Sequence, residues 1–488
     1  MKKLLKITFI MLIILTYFQG CKMDEDNDPT ENPAPVLTAL SPKSKAAHMP
    51  TFTLTVTGSG FVSESVIHFD GAAKETTYVS SAELTCLVDP EEIAAIAGLS
   101  RVLAAKIPVK VQNPEPGGGD SDTLEFTIND NHTFYVPKKI IDTASEPGES
   151  AIAVDSAGNI NVVWEDCVSN IDDIYYSRSS DTGATWSQPV NISSSSGYSA
   201  NPEIAVDSTG NINVFWCDDT PGNYQIYFKR STDNGAGWSQ AVRVSSNPEN
   251  SYSPVAAIDD SGNINVTYFA GGGLERDVYF SRSSDDGASW SQAVNTSNSP
   301  NPAIFPDLTL DNSGNISVVW QNIISGYQQI LFSRSTDNGA NWSQPKKISY
   351  LWGDNYYPLI TADNAGNISA TWLNTQFKSL FFSRSADNGE TWSQAKNISG
   401  NLSGTYYGYA VAIDSAQNVN LAWGIGPQND IDISFIRSID DGTSWSPLVN
   451  ISNSQGESRW PTMAVDSAGN INVIWKNGSY LYYTANTR

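Results

Sequence analysis

The segment Ala153-Val-Asp-Ser-Ala-Gly-Asn-Ile-Asn-Val-Val-Trp164 returns in recognisable form throughout the second part of the chain. Its aspartate stands at Asp155, Asp207, Asp259, Asp311, Asp363, Asp414 and Asp466, a spacing of 52, 52, 52, 52, 51 and 52 residues. A period this regular means one supersecondary unit copied in series, each copy burying its apolar face against its neighbours. Within each copy, short runs of alternating apolar and polar residues are separated by Gly, Asn, Asp and Ser. Strands joined by tight turns have that pattern.

Four short strands in about 50 residues is the size of one β-propeller blade. The repeat array, residues 133–488, is therefore expected to be a seven-bladed propeller, one blade per aspartate. The last copy ends on Tyr480-Leu-Tyr-Tyr-Thr484 and has no fourth strand after it. Val136-Pro-Lys-Lys-Ile-Ile141 matches the outer strand Gln344-Pro-Lys-Lys-Ile-Ser349, so this N-terminal segment is expected to complete the last blade. A propeller with an open seam would expose unpaired backbone and an apolar face. The alternative is six blades, with one copy outside the ring.

A second motif, Ser179-Ser-Asp-Thr-Gly-Ala-Thr-Trp186, recurs at Ser231–Trp238, Ser283–Trp290, Ser335–Trp342, Ser385–Trp392 and Ser438–Trp445. This S-x-D-x-G-x-x-W pattern resembles the Asp-box of sialidase-like BNR-repeat propellers. Asp181, Asp233, Asp285, Asp337, Asp387 and Asp440 can accept hydrogen bonds from their own turns, so their role is structural. The turns at Asp155 and its copies invite a calcium reading, but a hairpin turn explains them equally, and no second acidic ligand recurs.

Sialidases proper have six blades, and the resemblance implies a substrate carboxylate held by three arginines, a tyrosine nucleophile with its glutamate, and an aspartate acid/base. Arg178, Arg230, Arg282, Arg334, Arg384 and Arg437 all precede an Asp-box at the same offset and so belong to the framework. Arg243 falls in an outer strand, leaving Arg276 and Arg459 as candidates to meet an anionic ligand. The family's early Phe-Arg-Ile-Pro motif is absent, the nearest piece being Phe134-Tyr-Val-Pro137. The resemblance therefore does not carry sialidase activity with it.

Chemistry is expected on the face opposite the Asp-boxes, where individual blades differ. The loops leading into the innermost strands are rich in aromatics: Tyr198, Tyr252, Phe305, Trp352, Tyr356, Tyr357, Tyr406, Tyr407, Tyr409 and Trp460. Rings beside hydroxyls and carboxylates suit a sugar, whose C–H face stacks while its hydroxyls bond. Roofing of the blades would use the same residues. Trp352, Tyr356, Tyr357, Tyr406, Tyr407 and Trp460, with Arg276 and Arg459, are the ligand-binding candidates. Four residues before the turn aspartate, Glu203 and Asp307 break the apolar pattern on the innermost strand. A carboxylate pair could serve as acid and base in glycoside cleavage; acidic groups also line channels without any catalysis.

Residues 35–129 read as a separate all-β block. Leu40-Ser41-Pro42, Thr55-Val-Thr-Gly-Ser-Gly-Phe61, Val79-Ser80-Ser81 and Leu124-Glu-Phe-Thr-Ile128 resemble the IPT/TIG family, which implies an Ig-like sandwich used as a spacer or binding module. Gly58 and Gly60 are expected at turn positions needing unusual backbone angles, and the Ala-rich insertion from Asp89 to Leu103 as a short helix.

Residues 1–20 carry Lys2, Lys3 and Lys6 before an apolar stretch, as signal peptides do. Gly20-Cys21 resembles a lipobox, implying a lipid on Cys21, with ordinary secretion as the alternative. The acidic tether of residues 21–34 resembles the export tags of Bacteroidetes-type surface lipoproteins. A net charge of −24 argues against nucleic acid, and no such partner is expected. The histidines, His48, His68 and His132, all precede the repeats, which excludes a His-based triad or His metal site within them. Cys167 and Cys217 are either bridged or two small thiols. The expectation is a monomeric, lipid-anchored protein of the outer membrane surface that binds a glycan or a surface protein, without cofactor or metal. A glycoside-active enzyme and a protein-interaction scaffold are the alternatives.

Overall fold

The computed structural model describes residues 31–46, 51–89, 104–129, 134–142, 147–168, 170–400, 408–414, 416–427, 429–454 and 456–486, and every regular element among them is a strand. The signal segment, Cys21, most of the tether, the insertion beyond Asp89, and Tyr406 and Tyr407 lie outside the described residues. Among the described residues, no helix is long and apolar enough to cross a membrane. The chain divides into two units, Met1–Asp130 and Asn131–Arg488.

In the first unit, Val36–Ser41, Phe52–Ser59, Glu83–Val88 and Thr76–Ser80 make one sheet. Ser44–Ala46, Leu124–Asn129, Ala104–Asn113, Val66–Phe69 and Ala72–Ala73 make another, with Gly119–Asp120 beside Ala104–Asn113. Alternation places Leu54, Val56, Leu84, Ile107, Val109, Val111 and Phe126 in one shared, fully buried cluster. Gly60 takes φ +75° as a turn residue should. Gly58 corrects the expectation: its φ is not positive, and what it needs is room, because a Cβ would lie 2.0 Å from the Val36 carbonyl oxygen.

The second unit holds seven four-stranded antiparallel sheets. In sheet 1 the strands are Ser150–Val154, Ile160–Val168, Ile171–Ser179 and Val190–Asn191, and sheets 2 to 6 repeat that order along the chain. Sheet 7 has Ser458–Val465, Ile471–Asn477 and Tyr480–Ala485, then Lys138–Asp142, which pairs antiparallel with Tyr480–Ala485 although it precedes sheet 1 in sequence. Each first strand lies against the first strand of the following sheet, and that of sheet 7 against that of sheet 1. Second strands are buried on both faces, so Ile160, Val162, Val163 and Trp164 run apolar without alternation.

Two devices recur at one end of the sheets, the first between neighbouring sheets and the second within each. In every Asp-box the serine hydroxyl donates to the aspartate and accepts the glycine N–H, while the aspartate accepts the N–H four residues on. These bonds hold the exposed Asp181 and Asp387 carboxyls down at about 2. The turn so fixed aims its tryptophan edge-on at a ring of the preceding sheet: Trp238 on Tyr176, Trp290 on Phe228, Trp342 on Phe280, Trp392 on Phe332 and Trp445 on Phe382. Trp186 meets Tyr483 of sheet 7 in the same way. Such pairs contribute ~0.5–1.5 kcal/mol beyond area burial.

The second device is an ion pair in each of sheets 1 to 6. Asp155 Oδ1 accepts the Asn159 N–H at 2.8 Å, and Oδ2 takes the Asn159 amide and the Arg178 guanidinium. Arg230–Asp207, Arg282–Asp259, Arg334–Asp311, Arg384–Asp363 and Arg437–Asp414 repeat the pair. Burial pushes Asp155 up, but its bonds to Asn159 and Arg178 outweigh that and hold it below its ordinary value. The framework arginines are thus committed at the Asp-box end.

Candidate functional site

At the opposite end, the first strands of five sheets carry one recurring irregularity. Register shifts fall between Ala200 and Glu203, Tyr252 and Val255, Ile304 and Asp307, Tyr356 and Leu359, and Arg459 and Thr462. In each, an extra residue is inserted opposite the second strand, a β-bulge. Its first residue has a left-handed backbone: Asn201 (φ 52°), Ser253 (50°), Phe305 (51°), Tyr357 (52°) and Trp460 (47°). Its second is a buried proline, Pro202, Pro254, Pro306, Pro358 or Pro461, which has no N–H to leave unpaired. Asparagine is at home at such φ; phenylalanine, tyrosine and tryptophan are outliers there. Strain of this kind clusters at binding sites. In sheet 6 the position is Gly408 (φ 73°), and a Cβ there would lie 2.7 Å from the Trp460 ring.

The bulges link rings of successive sheets. Tyr224 touches Tyr252, Tyr252 touches Phe269, Phe269 touches Phe305, Phe305 touches Tyr357 and Tyr357 touches Tyr356, with centroids 5.2–5.9 Å apart. The row crosses sheets 2 to 5. Tyr357 and Trp460 are exposed, and Tyr224, Tyr252, Phe305 and Tyr356 half-buried. Trp352, 62% exposed, lies in the loop before sheet 5 against Tyr327. These placements correct the expectation of a loop set. Tyr252, Phe305, Tyr356, Tyr357 and Trp460 belong to the strands, because the bulge extends pairing past the proline. Tyr409 is buried.

Tyr409 occupies the proline position of sheet 6. Its hydroxyl lies 2.5 Å from the Tyr357 carbonyl oxygen and 3.0 Å from that of Thr371, so it ties the sheet 5 bulge to its second strand. In sheets 4, 1 and 3 the residue after the second-strand aromatic also reaches the next bulge. Gln321 Oε1 accepts the Tyr357 N–H at 3.2 Å, Glu165 accepts the Asn201 N–H, and Phe269 supplies the ring under Phe305. Lys476, buried, donates to the Pro147 carbonyl oxygen at 3.0 Å and sits 3.8 Å from the Trp460 ring centroid. Sequence reasoning missed Glu165, Phe269 and Lys476, and variation at one fixed offset after the second-strand aromatic was the signal that could have found them; it named Tyr409 but not the tie its hydroxyl makes.

Glu203 and Asp307 stand on first strands two sheets apart, beneath the bulges. Each carboxylate bonds to the backbone of the next sheet; Asp307 Oδ2 accepts the Ile360 N–H at 2.7 Å. Burial, reinforced by the charge of Asp307, pushes Glu203 up to about 8, and burial raises Asp307 to about 7. Burial also raises Glu165 to about 7, with Glu149 and Asp172 adding to it. Arg276 lies near Tyr252 and its Nε is buried without a hydrogen-bond partner, whereas Arg459 pairs with Glu457 of its own strand approach. Cys167 and Cys217 are thiols rather than a bridge, and Cys217 Sγ donates to Asn201 Oδ1 at 3.3 Å. Among the described residues, no group of three or more His, Cys, Asp and Glu side chains could hold a metal ion. A groove between sheets 4 and 5, lined by Phe332, Arg334, Trp342 and Lys346, lies at the Asp-box end and is made of the framework contacts themselves.

Comparison with known proteins agrees with this division. Residues 169–352 match the BNR repeat-like domain and residues 35–128 the IPT/TIG domain. No curated protein matches the chain. Among solved structures, a polysaccharide lyase, the PL25 ulvan lyase, is similar with a TM-score of 0.50 at 13% identity, over 70% of this chain and 94% of that one. The Penicillium chrysogenum α-L-arabinanase gives 0.47 at 14%, over 62% and 98%. The intramolecular trans-sialidase of Ruminococcus gnavus gives 0.44 at 13%, over 71% and 96%. Identity this low is a likeness of fold and not of chemistry. The chain is an all-β protein that joins an IPT/TIG domain to a BNR-repeat domain.

Proposed function

We propose that the seven sheets are the blades of one seven-bladed propeller, completed by Lys138–Asp142, and that its bulge face binds a glycan without turning it over. The row of rings from Tyr224 to Tyr356 carries this reading. Stacking on successive rings, with polar groups set between them, is how a folded protein holds a saccharide. The first unit, an Ig-like sandwich on this reading, serves as a spacer. Cys21 carries a lipid that holds the protein at the outer membrane surface.

The test keeps the backbone undisturbed. Phe305→Asn and Tyr357→Asn copy the residue that sheet 2 already places at this φ, Asn201. Both are expected to lower glycan-array signal at least ~10-fold, the loss of one good stacking contact of about 1.4 kcal/mol. Unchanged binding in both variants would refute the reading. Membrane fractionation of Cys21→Ala tests the anchor; a variant that stays membrane-bound refutes it.

A second reading rests on Glu203 and Asp307. Two carboxyls raised by burial and coupled across sheets can act as proton donors near neutral pH. Release of reducing ends from a polysaccharide, abolished by Glu203→Gln, would establish it.

A further inference from the structure

We infer that the ligand of the aromatic row is an uncharged saccharide chain, not an acidic one; this rests on the glycan-binding reading above. The argument is the allocation of charge on the bulge face. Six framework arginines are paired at the other end. Of the cations on the bulge face, Arg459 is paired with Glu457, and Lys476 is buried between the Pro147 carbonyl and the Trp460 ring. That leaves Arg276, half-buried beside Tyr252, and Lys378, exposed in the hairpin of sheet 5, as the cations of this face with no ion pair among the described residues.

Carboxyls are more numerous. Glu149, Glu165 and Asp172 crowd one another beside the first bulge, closely enough that the first and last push Glu165 up. Asp219 lies near Tyr224 and Asp354 near Tyr356, at the two ends of the row; burial raises both phenols and the neighbouring carboxylate adds to it. Glu203 and Asp307 lie beneath its middle, but burial favours their protonated forms and they add little charge there. A uronate, sulfate or sialate laid along these rings would meet carboxylates at both ends, with Arg276 and Lys378 to answer it. An uncharged chain meets no such penalty. Ring faces take its C–H surfaces, and the carboxylates accept its hydroxyl protons. A row of contacting rings spanning four sheets, all but Phe269 at least partly exposed, also favours several consecutive sugar units over a single terminal one.

The experiment is affinity electrophoresis of the full chain through gels holding single polysaccharides. Galactomannan, xyloglucan, arabinan and mixed-linkage β-glucan are the uncharged probes; polygalacturonate, alginate, chondroitin sulfate and polysialic acid are the acidic ones. At least one uncharged polymer is expected to retard the protein. That retardation should be lost in Phe305→Asn and Tyr357→Asn, whose melting temperatures report that they fold. It should change less than ~2-fold between ~50 and ~500 mM NaCl, because no ion pairs are formed on binding. Retardation by acidic polymers alone, lost in the same two variants and weakened by salt, overturns the inference while the glycan-binding reading survives. Retardation by no polymer, or retardation indifferent to both variants, overturns both.

Discussion

Single residues decide how tightly neighbouring sheets are held. A Cβ on Gly287 would lie 2.0 Å from the Phe228 ring that Trp290 also touches, and its φ is +82°. Gly287→Ala is therefore expected to cost ~2 kcal/mol or more by overpacking and backbone strain combined, read as a lower urea midpoint at unchanged slope. Glu203 acts in the opposite sense. Its carboxyl titrates at about 8 in the folded chain against an ordinary 4.5, so the folded state holds the extra proton between those values. The stability this provides is complete below 4.5 and is lost as pH rises through 8. In Glu203→Gln that loss disappears: the melting temperature of the variant should gain on the parent steadily from about pH 5 to about pH 9. A parallel decline in both proteins would show that Glu203 does not titrate there. The presence of Glu203 and Asp307 on the inner strand was readable as a break in an apolar pattern. Their partners were not, since Ile360 and Ala256 lie one sheet away, at a distance no local pattern encodes.

At the level of the element, the bulge turns an ordinary edge strand into a presenting device. Five first strands share it, and aromatic side chains occupy three of its five left-handed positions, Phe305, Tyr357 and Trp460. The Tyr409 hydroxyl ties down the bulge of sheet 5 from sheet 6. Tyr409→Phe keeps the buried ring and deletes that tie, leaving the Tyr357 carbonyl without its donor. Amide exchange at Leu359 and Ile360 is expected to quicken ~5–10-fold with little change in melting temperature, about 1 kcal/mol of local opening. Equal exchange in both proteins would assign the bulge to the proline alone. The aromatic positions were legible in the sequence, but their setting was not. A proline inside a run of alternating residues reads as a loop, and only pairing across the bulge shows that the strand continues past it.

For the molecule as a whole, the period made the repeated sheets legible, because a unit unable to bury its own face must recur beside itself. The likeness of Val136–Ile141 to an outer strand also pointed to Lys138–Asp142, found paired with Tyr480–Ala485. Less legible was the sealing of that junction. Lys476 bonds to Pro147, Trp186 meets Tyr483, and Thr484 donates to the Tyr135 carbonyl oxygen. Deleting residues 134–142 should leave Tyr480–Ala485 as a bare edge, and self-association should follow, visible as concentration-dependent growth in light scattering. A deletion protein that stays monodisperse would show the strand to be dispensable.

The out-of-order strand of sheet 7 also sets a timetable for biosynthesis. Lys138–Asp142 leaves the ribosome long before Tyr480–Ala485 exists, with more than three hundred codons still to be read. At ~5–20 residues per second, about 20 to 70 seconds pass before its partner is made. Throughout that interval the strand has no partner within its own chain, and its pairing is the last of the seven sheets to become possible.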